Sequence, residues 1–312
     1  MSANAATFSR SASGLGGLVL VCLAATWLVW GSTYLAIKYA LISLPPFFQM
    51  GTRFMVAGLA LAAWMRWRKA PWPNARQWRN AAVVGSLMLG GGMGGTAFAE
   101  QTVGSGLVVA FIAVVPLMIA ALNLVWRIYP SRLEVAGIAF GLCGILLLTQ
   151  GAGFRASPAG LAAISIACVS WSLGSVLSQR SLPLAPGAMG FASEMICGGV
   201  VLLALAALTG EAPVVVANWP PEPAAIGAWL YLVVFGSLIA FNAYMYLLGH
   251  ASAALASSYT FVNPVIAMLL GVAVAGEQIT GYEWLAAGIV LVGVVLMLRG
   301  VATRKWTRCH AA

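Results

Sequence analysis

The chain has 312 residues, 62% of them apolar and 7% charged, and it contains no aspartate. That composition cannot dress a water-facing surface of ordinary polarity, so a soluble globular fold is excluded and an integral membrane protein is expected. The net charge of +9 does not signal nucleic acid, because the lysines and arginines fall in short links between apolar runs, where they act as topology signals.

At about 20 residues per crossing, the sequence predicts an all-α integral membrane protein of ten helices, over 14–37, 47–65, 80–99, 103–126, 133–150, 159–179, 187–208, 224–247, 252–275 and 282–298. Arg10 ahead of the first apolar stretch looks like the start of a signal peptide. The stretch runs on too far for a signal core and shows no convincing cleavage pattern, so it is read as the first span. That span carries Trp30, Ser32, Thr33 and Tyr34. The second holds Arg53 about two turns in, and Glu100 closes the third. A charge within a span costs roughly 2.5–3.5 kcal/mol on insertion scales, so each needs a reason. Arg53 and Glu100 could contact an α-carboxylate and an α-amine, or simply pair with each other. Gly90, Gly91, Gly92, Gly94 and Gly95 lack the strand and the Lys-Ser/Thr of a phosphate loop. They read as close helix approach through small residues, with bare backbone along a solute path as the other possibility.

The fourth span carries Pro116, and the ninth carries Pro264 in a matching apolar stretch. A proline lacks the N–H and crowds the carbonyl four residues back, so each helix is expected to bend or open there. Paired interruptions in corresponding positions of two halves point to a transporter's binding site. The sixth span adds Trp171 and Ser175, the seventh Glu194, and the eighth Asn242, Tyr244 and Tyr246. The ninth adds Ser257, Ser258, Tyr259 and Asn263. Glu194 is either a proton-linked or cationic contact or a carboxylate held by neighbouring hydroxyls and amides. Taken singly, such residues pack helices. Gathered in equivalent helices, they form a ring-and-hydroxyl lining suited to a small zwitterionic or partly apolar solute.

The halves repeat loosely. Met55-x-x-Gly58 matches Met195-x-x-Gly198, and Ala136-Gly137-Ile138 matches Ala287-Gly288-Ile289. Five spans per repeat, an odd number, make the second copy enter the membrane from the opposite side, which gives a five-plus-five inverted repeat. The units are 14–150 and 159–298, followed by a basic tail, 299–312. Basic residues crowd the links after the even-numbered spans, the N-terminus and the tail, so both termini are placed in the cytoplasm. Cys22, Cys143, Cys168 and Cys197 lie inside apolar segments and Cys309 lies in the tail, with no pairing pattern. Two histidines, His250 and His310, and no aspartate leave metal chemistry and a Ser-His-Asp hydrolase without ligands or a triad. Small-residue faces at Gly137, Gly141, Gly144 and Gly288 fit a monomer or a weak dimer.

The segments WGSTYLAIKYAL, PPFFQMGTRFMVAG, AEQTVGSGLVVAFIAVVPL and FGSLIAFNAYMYLLGHASAALASSYTFVNPVIAMLLG, with Gly276-Glu277 and Glu283-Trp284 after them, resemble bacterial exporters of the drug/metabolite transporter superfamily. They resemble in particular the ten-helix proteins built from two EamA domains, over about Gly17 to Leu298. The resemblance implies a cavity formed by helices 1, 3, 4, 6, 8 and 9, with helices 5 and 10 at one flank. It also implies export of amino acids or related metabolites by alternating access in the inner membrane. Arg53, Glu100, Pro116, Asn263 and Pro264 fall on motif positions, and Pro116, Pro264 and Gly92 are the expected hinges. The first half has Val115 where the second has Asn263, and no Gly-Glu follows its proline helix. The expected partners are a small-molecule substrate and the lipid bilayer, with no nucleic acid and no cofactor.

Overall fold

The computed structural model describes residues 16–103, 108, 111–149, 157–275 and 280–310. These residues form helices only. In chain order they are α1 (Gly17–Ala40), α2 (Pro46–Trp67), α3 (Ala75–Ala99), α4 (Val115–Trp126, closing in a 3-10 turn), α5 (Arg132–Thr149), α6 (Pro158–Arg180), α7 (Ala188–Leu208), α8 (Pro223–His250), α9 (Tyr259–Ala275) and α10 (Gly281–His310). Single turns at Ala212–Ala217 and Ala253–Ala256 precede α8 and α9. Five helices, α1, α3, α6, α7 and α8, are long and apolar enough to cross a membrane, and α4 and α10 carry shorter apolar stretches. The protein is a multi-pass membrane protein.

Local chemistry sets many of the helix boundaries. Asn74 and Gln77 close a capping box at the start of α3, each side chain taking the other's backbone N–H at 2.9 Å. Ser131 and Glu134 do the same at α5. Ser157 caps α6, with Pro158 in the first turn, where its missing N–H costs nothing. Gly210, at φ +73°, turns the chain out after α7, in the left-handed region that glycine enters freely.

Helix packing follows a regular scheme. α2 lies along α7, and α5 along α10, while α1 packs on α8 and α9 and α6 packs on α3 and α4. Small residues make the close contacts. A Cβ on Gly199 would lie 2.9 Å from the Met55 nitrogen, and one on Gly137 would lie 2.6 Å from the Gly293 carbonyl. Gly144 meets Val290, and Gly141 meets the ring of Phe261, so three of the four glycines considered for a dimer face are used within the chain. Gly288 has no heavy atom within 4 Å of a Cβ built on it.

Three features depart from the sequence reading. Residues Ser86–Gly94 of α3 and Leu232–Phe241 of α8 are π-helical, with one extra residue per turn in the hydrogen-bond ladder. The two prolines behave differently. Pro116 sits in the first turn of α4, just after a break at Ala113–Val114, whereas Pro264 lies inside the continuous α9. The interruption in the second half falls instead at Ser257–Ser258, between the single turn and α9. Finally, α10 runs on through the basic segment to His310 rather than giving way to a separate tail.

Candidate functional site

Four rings from four helices meet at the centre of the molecule. Trp30 of α1 lies 5.8 Å from Trp171 of α6, 5.2 Å from Tyr244 of α8 and 4.6 Å from Tyr259 of α9, measured between ring centroids. Tyr244 completes the cluster at 5.3 Å from Trp171 and 5.4 Å from Tyr259. Most of these contacts are edge-to-face or tilted, the arrangements the ring quadrupole favours. The polar tips are satisfied. Trp171 Nε1 donates to the Tyr244 hydroxyl at 3.2 Å, Ser175 Oγ shares a hydrogen bond with the same hydroxyl at 2.9 Å, and Trp30 Nε1 donates to the Gly236 carbonyl at 3.2 Å.

The cage borders a cavity of about 70 Å³, lined by Trp30, Trp171, Tyr259, Thr33, Thr96 and Asn263 among others. Gly92 lines it too, and a Cβ built on it would lie 3.0 Å from the Trp171 ring. The lining comes from α1, α3, α6, α9 and the break before α4. α8 contributes from behind, through Tyr244. Among the described residues no acidic or basic side chain lines the cavity. It offers ring faces for a cation or a ring, together with weak donors and acceptors. Asn263 spans two helices, its amide nitrogen donating to the Tyr259 carbonyl at 3.0 Å and the Trp27 carbonyl of α1 at 3.2 Å.

A vestibule lies at each end. One, of about 940 Å³, gathers the start of α1, the end of α6, the start of α7 and the end of α8, with Gln179, Arg180, Asn242, Tyr246 and His250 on its walls. The other, of about 330 Å³, gathers the end of α1, the start of α2, the end of α3 and the stretch after α7, with Gln101, Glu211 and Asn218.

The remaining sequence candidates separate from the cage. Asn242 and Tyr246 belong to the larger vestibule, where Tyr246 stacks on His250 at 3.9 Å. Ser32 bonds the Tyr231 hydroxyl at 2.6 Å, and Ser258 accepts from Trp27 Nε1 at 3.0 Å. The side chain of Tyr34 lies outside the described residues. Arg53 and Glu194 are fully buried, and Glu100 is partly so. Of the two readings of Arg53 and Glu100, the mutual pair does not form, since Arg53 bonds Ser237 Oγ at 2.7 Å and Oε1 of Glu100 has no partner among the described residues. Neither carboxylate oxygen of Glu194 has a partner, so neighbouring hydroxyls and amides do not hold it. Among the described residues no cluster of His, Cys, Asp or Glu could hold a metal.

Sequence reasoning passed over Glu211 and Glu134. Glu211 accepts the Phe47 and Phe48 backbone N–H groups at 3.1 and 2.7 Å, so a residue beyond α7 caps α2. The Ser-x-x-Glu spacing at 131–134 is a visible capping signature, whereas nothing local marks Glu211.

The sequence pattern of the EamA-like transporter family matches twice, over residues 15–150 and 158–299. The chain belongs to the EamA-like transporter family. It is therefore a transporter of the drug/metabolite transporter superfamily and not an enzyme. The transporter is 40% identical to the uncharacterized inner membrane transporter YedA of Escherichia coli K12, over 89% of this chain and 90% of that one. It is 28% identical to Protein PecM of Dickeya dadantii, over 85% and 88%. A probable amino-acid metabolite efflux pump of Escherichia coli K12 is 22% identical, over 89% and 93%. One solved crystal structure shares the fold, with a TM-score of 0.71 over 89% of this chain and 95% of that one at 19% identity.

Proposed function

We propose that this transporter is an inner-membrane exporter of small organic solutes, chiefly amino acids including aromatic ones. It works by alternating access, with the solute held in the cage between two inverted repeats, 14–150 and 159–298, and with both termini in the cytoplasm. The observation that carries this reading is the sequence of spaces along the molecule: a vestibule at each end and a constricted, ring-walled cavity between them. The central space is far below the ~300–1,000 Å³ of ordinary ligand pockets, so the cage must open to admit a solute. Exchange of the repeats supplies two such openings. The packing scheme supports that exchange, since α1 on α8 and α9 is mirrored by α6 on α3 and α4, and α2–α7 and α5–α10 map onto themselves. That YedA is an inner membrane transporter and the more distant relative a probable amino-acid metabolite efflux pump is consistent with it.

The test is counterflow in proteoliposomes loaded with unlabelled amino acids one at a time, following entry of a labelled aromatic amino acid with and without a pH gradient. Saturable counterflow that needs no gradient is expected, because no carboxylate lines the cavity, and Glu100→Gln and Glu194→Gln should retain it. Flux that neither saturates nor exchanges would mean a pore. No counterflow with any amino acid would redirect the search to other metabolites and drugs, which a lining without fixed charge would also accept.

A further inference from the structure

Arg53 is the largest fully buried side chain in the described structure. A guanidinium keeps its proton in any protein environment, so its charge has to be met by a partner. The partners present are neutral. Nε donates to Ser237 Oγ at 2.7 Å, Nη1 reaches Met50 Sδ at 3.5 Å, and Cζ lies 4.8 Å from the centroid of the Phe54 ring. Nη2 has no hydrogen-bond partner among the described residues.

Its direction is given by Gly236. A Cβ built on that glycine would lie 2.6 Å from Nη2 and 3.4 Å from the Thr33 methyl. Thr33 lines the central cavity, and the Gly236 carbonyl holds Trp30 of the cage. The bare Cα of Gly236, in the π-helical stretch of α8, therefore lies close both to the guanidinium nitrogen and to a residue of the cavity wall. A π-helical turn holds one residue more than an α-helical turn, so a local return to α-helical register would move this Cα.

We propose that Nη2 of Arg53 is an anion subsite of the transport cavity, which takes a solute carboxylate once the π-helical stretch around Gly236 shifts. The proposal rests on reading the cavity as the solute site, and it narrows the substrates to those bearing a carboxylate. Two parallel N–H groups of one guanidinium suit the two oxygens of a carboxylate, and a monovalent inorganic anion shares the charge but not the fork.

The test is thermal melting of the purified full-length protein in detergent at matched ionic strength. Sodium phenylacetate, phenethylamine methanesulfonate and sodium chloride are compared against sodium methanesulfonate. A rise of a few degrees with phenylacetate and none with phenethylamine is expected, lost in both Arg53→Gln and Gly236→Ala. Should Arg53→Gln fail to fold, Gly236→Ala carries the test, because the atoms nearest its added methyl are side-chain atoms, those of the guanidinium end and the Thr33 methyl, and not backbone. A chloride response equal to that of phenylacetate would keep the anion subsite and assign it to inorganic anion. An equal response to the amine, or a phenylacetate shift that survives in Gly236→Ala, would overturn the proposal. Melting needs no transport, so a phenylacetate shift without any amino-acid counterflow would sink the amino-acid reading of the cavity and leave the subsite standing.

Discussion

Tyr244 is the residue on which the cage depends. Its hydroxyl satisfies both Trp171 Nε1 and Ser175 Oγ, and its ring touches Trp30, Trp171 and Tyr259. Tyr244→Phe keeps the ring and strands two buried polar groups, at about 1–3 kcal/mol for each group left unmade. A fall in melting temperature and a raised KM for counterflow are expected, while Tyr246→Phe, in the vestibule, should leave both near wild type. The rings of the cage were legible in the sequence, because tryptophan and tyrosine in equivalent apolar helices have few bland uses. The fate of Arg53 was not. Pairing it with Glu100 required only that two charges lie toward one side, whereas the fold gave the guanidinium to Ser237, 184 positions away. Glu211 was invisible for the same reason, since its partners Phe47 and Phe48 lie more than 160 positions back.

At the level of helices, the glycines sort into those that touch and those that do not. A Cβ on Gly144 would lie 2.5 Å from the Val290 side chain and 2.9 Å from its backbone nitrogen, which cannot retreat without parting α5 from α10. Gly144→Val is expected to cost about 1–3 kcal/mol through overpacking, whereas Gly288→Ala, facing open space, should be neutral or slightly stabilising through helix propensity. Thermal unfolding of the two variants in the same detergent checks both. Helix positions were legible to within a few residues where caps such as Asn74-x-x-Gln77 and Ser157-Pro158 mark them. The π-helical stretches were not, because SLMLGGGMG and LVVFGSLIAF are as uniformly apolar as their neighbours. Their register is decided across the interface. Gly91 meets Ser170 and Gly92 meets Trp171 on one side, and Gly236 meets Arg53 on the other. Pro264 does not open its helix, since α9 runs through it, while Asn263 ties the preceding turn to α1.

For the whole molecule, the sequence yielded a membrane transporter from composition, repeat and motif, and the two family matches agree with it. The proposed orientation rests on the distribution of charge. Single cysteines placed in a background lacking the native ones should react with a membrane-impermeant maleimide from the cytoplasmic face at Trp72 and from the outer face at Trp219. The reverse labelling would invert the topology and turn the proposed exporter's larger vestibule outward. That vestibule has a further consequence. It exceeds its counterpart at the other end by a volume that would hold on the order of 20 water molecules at ~30 Å³ each. Under the proposed exchange of open ends that water would move too, so osmotic pressure would work against whichever conformation is the wetter. On that mechanism the carrier would respond to the water activity of its two compartments as well as to their solute, and crowding on the larger vestibule's side would tilt its resting balance toward closure there.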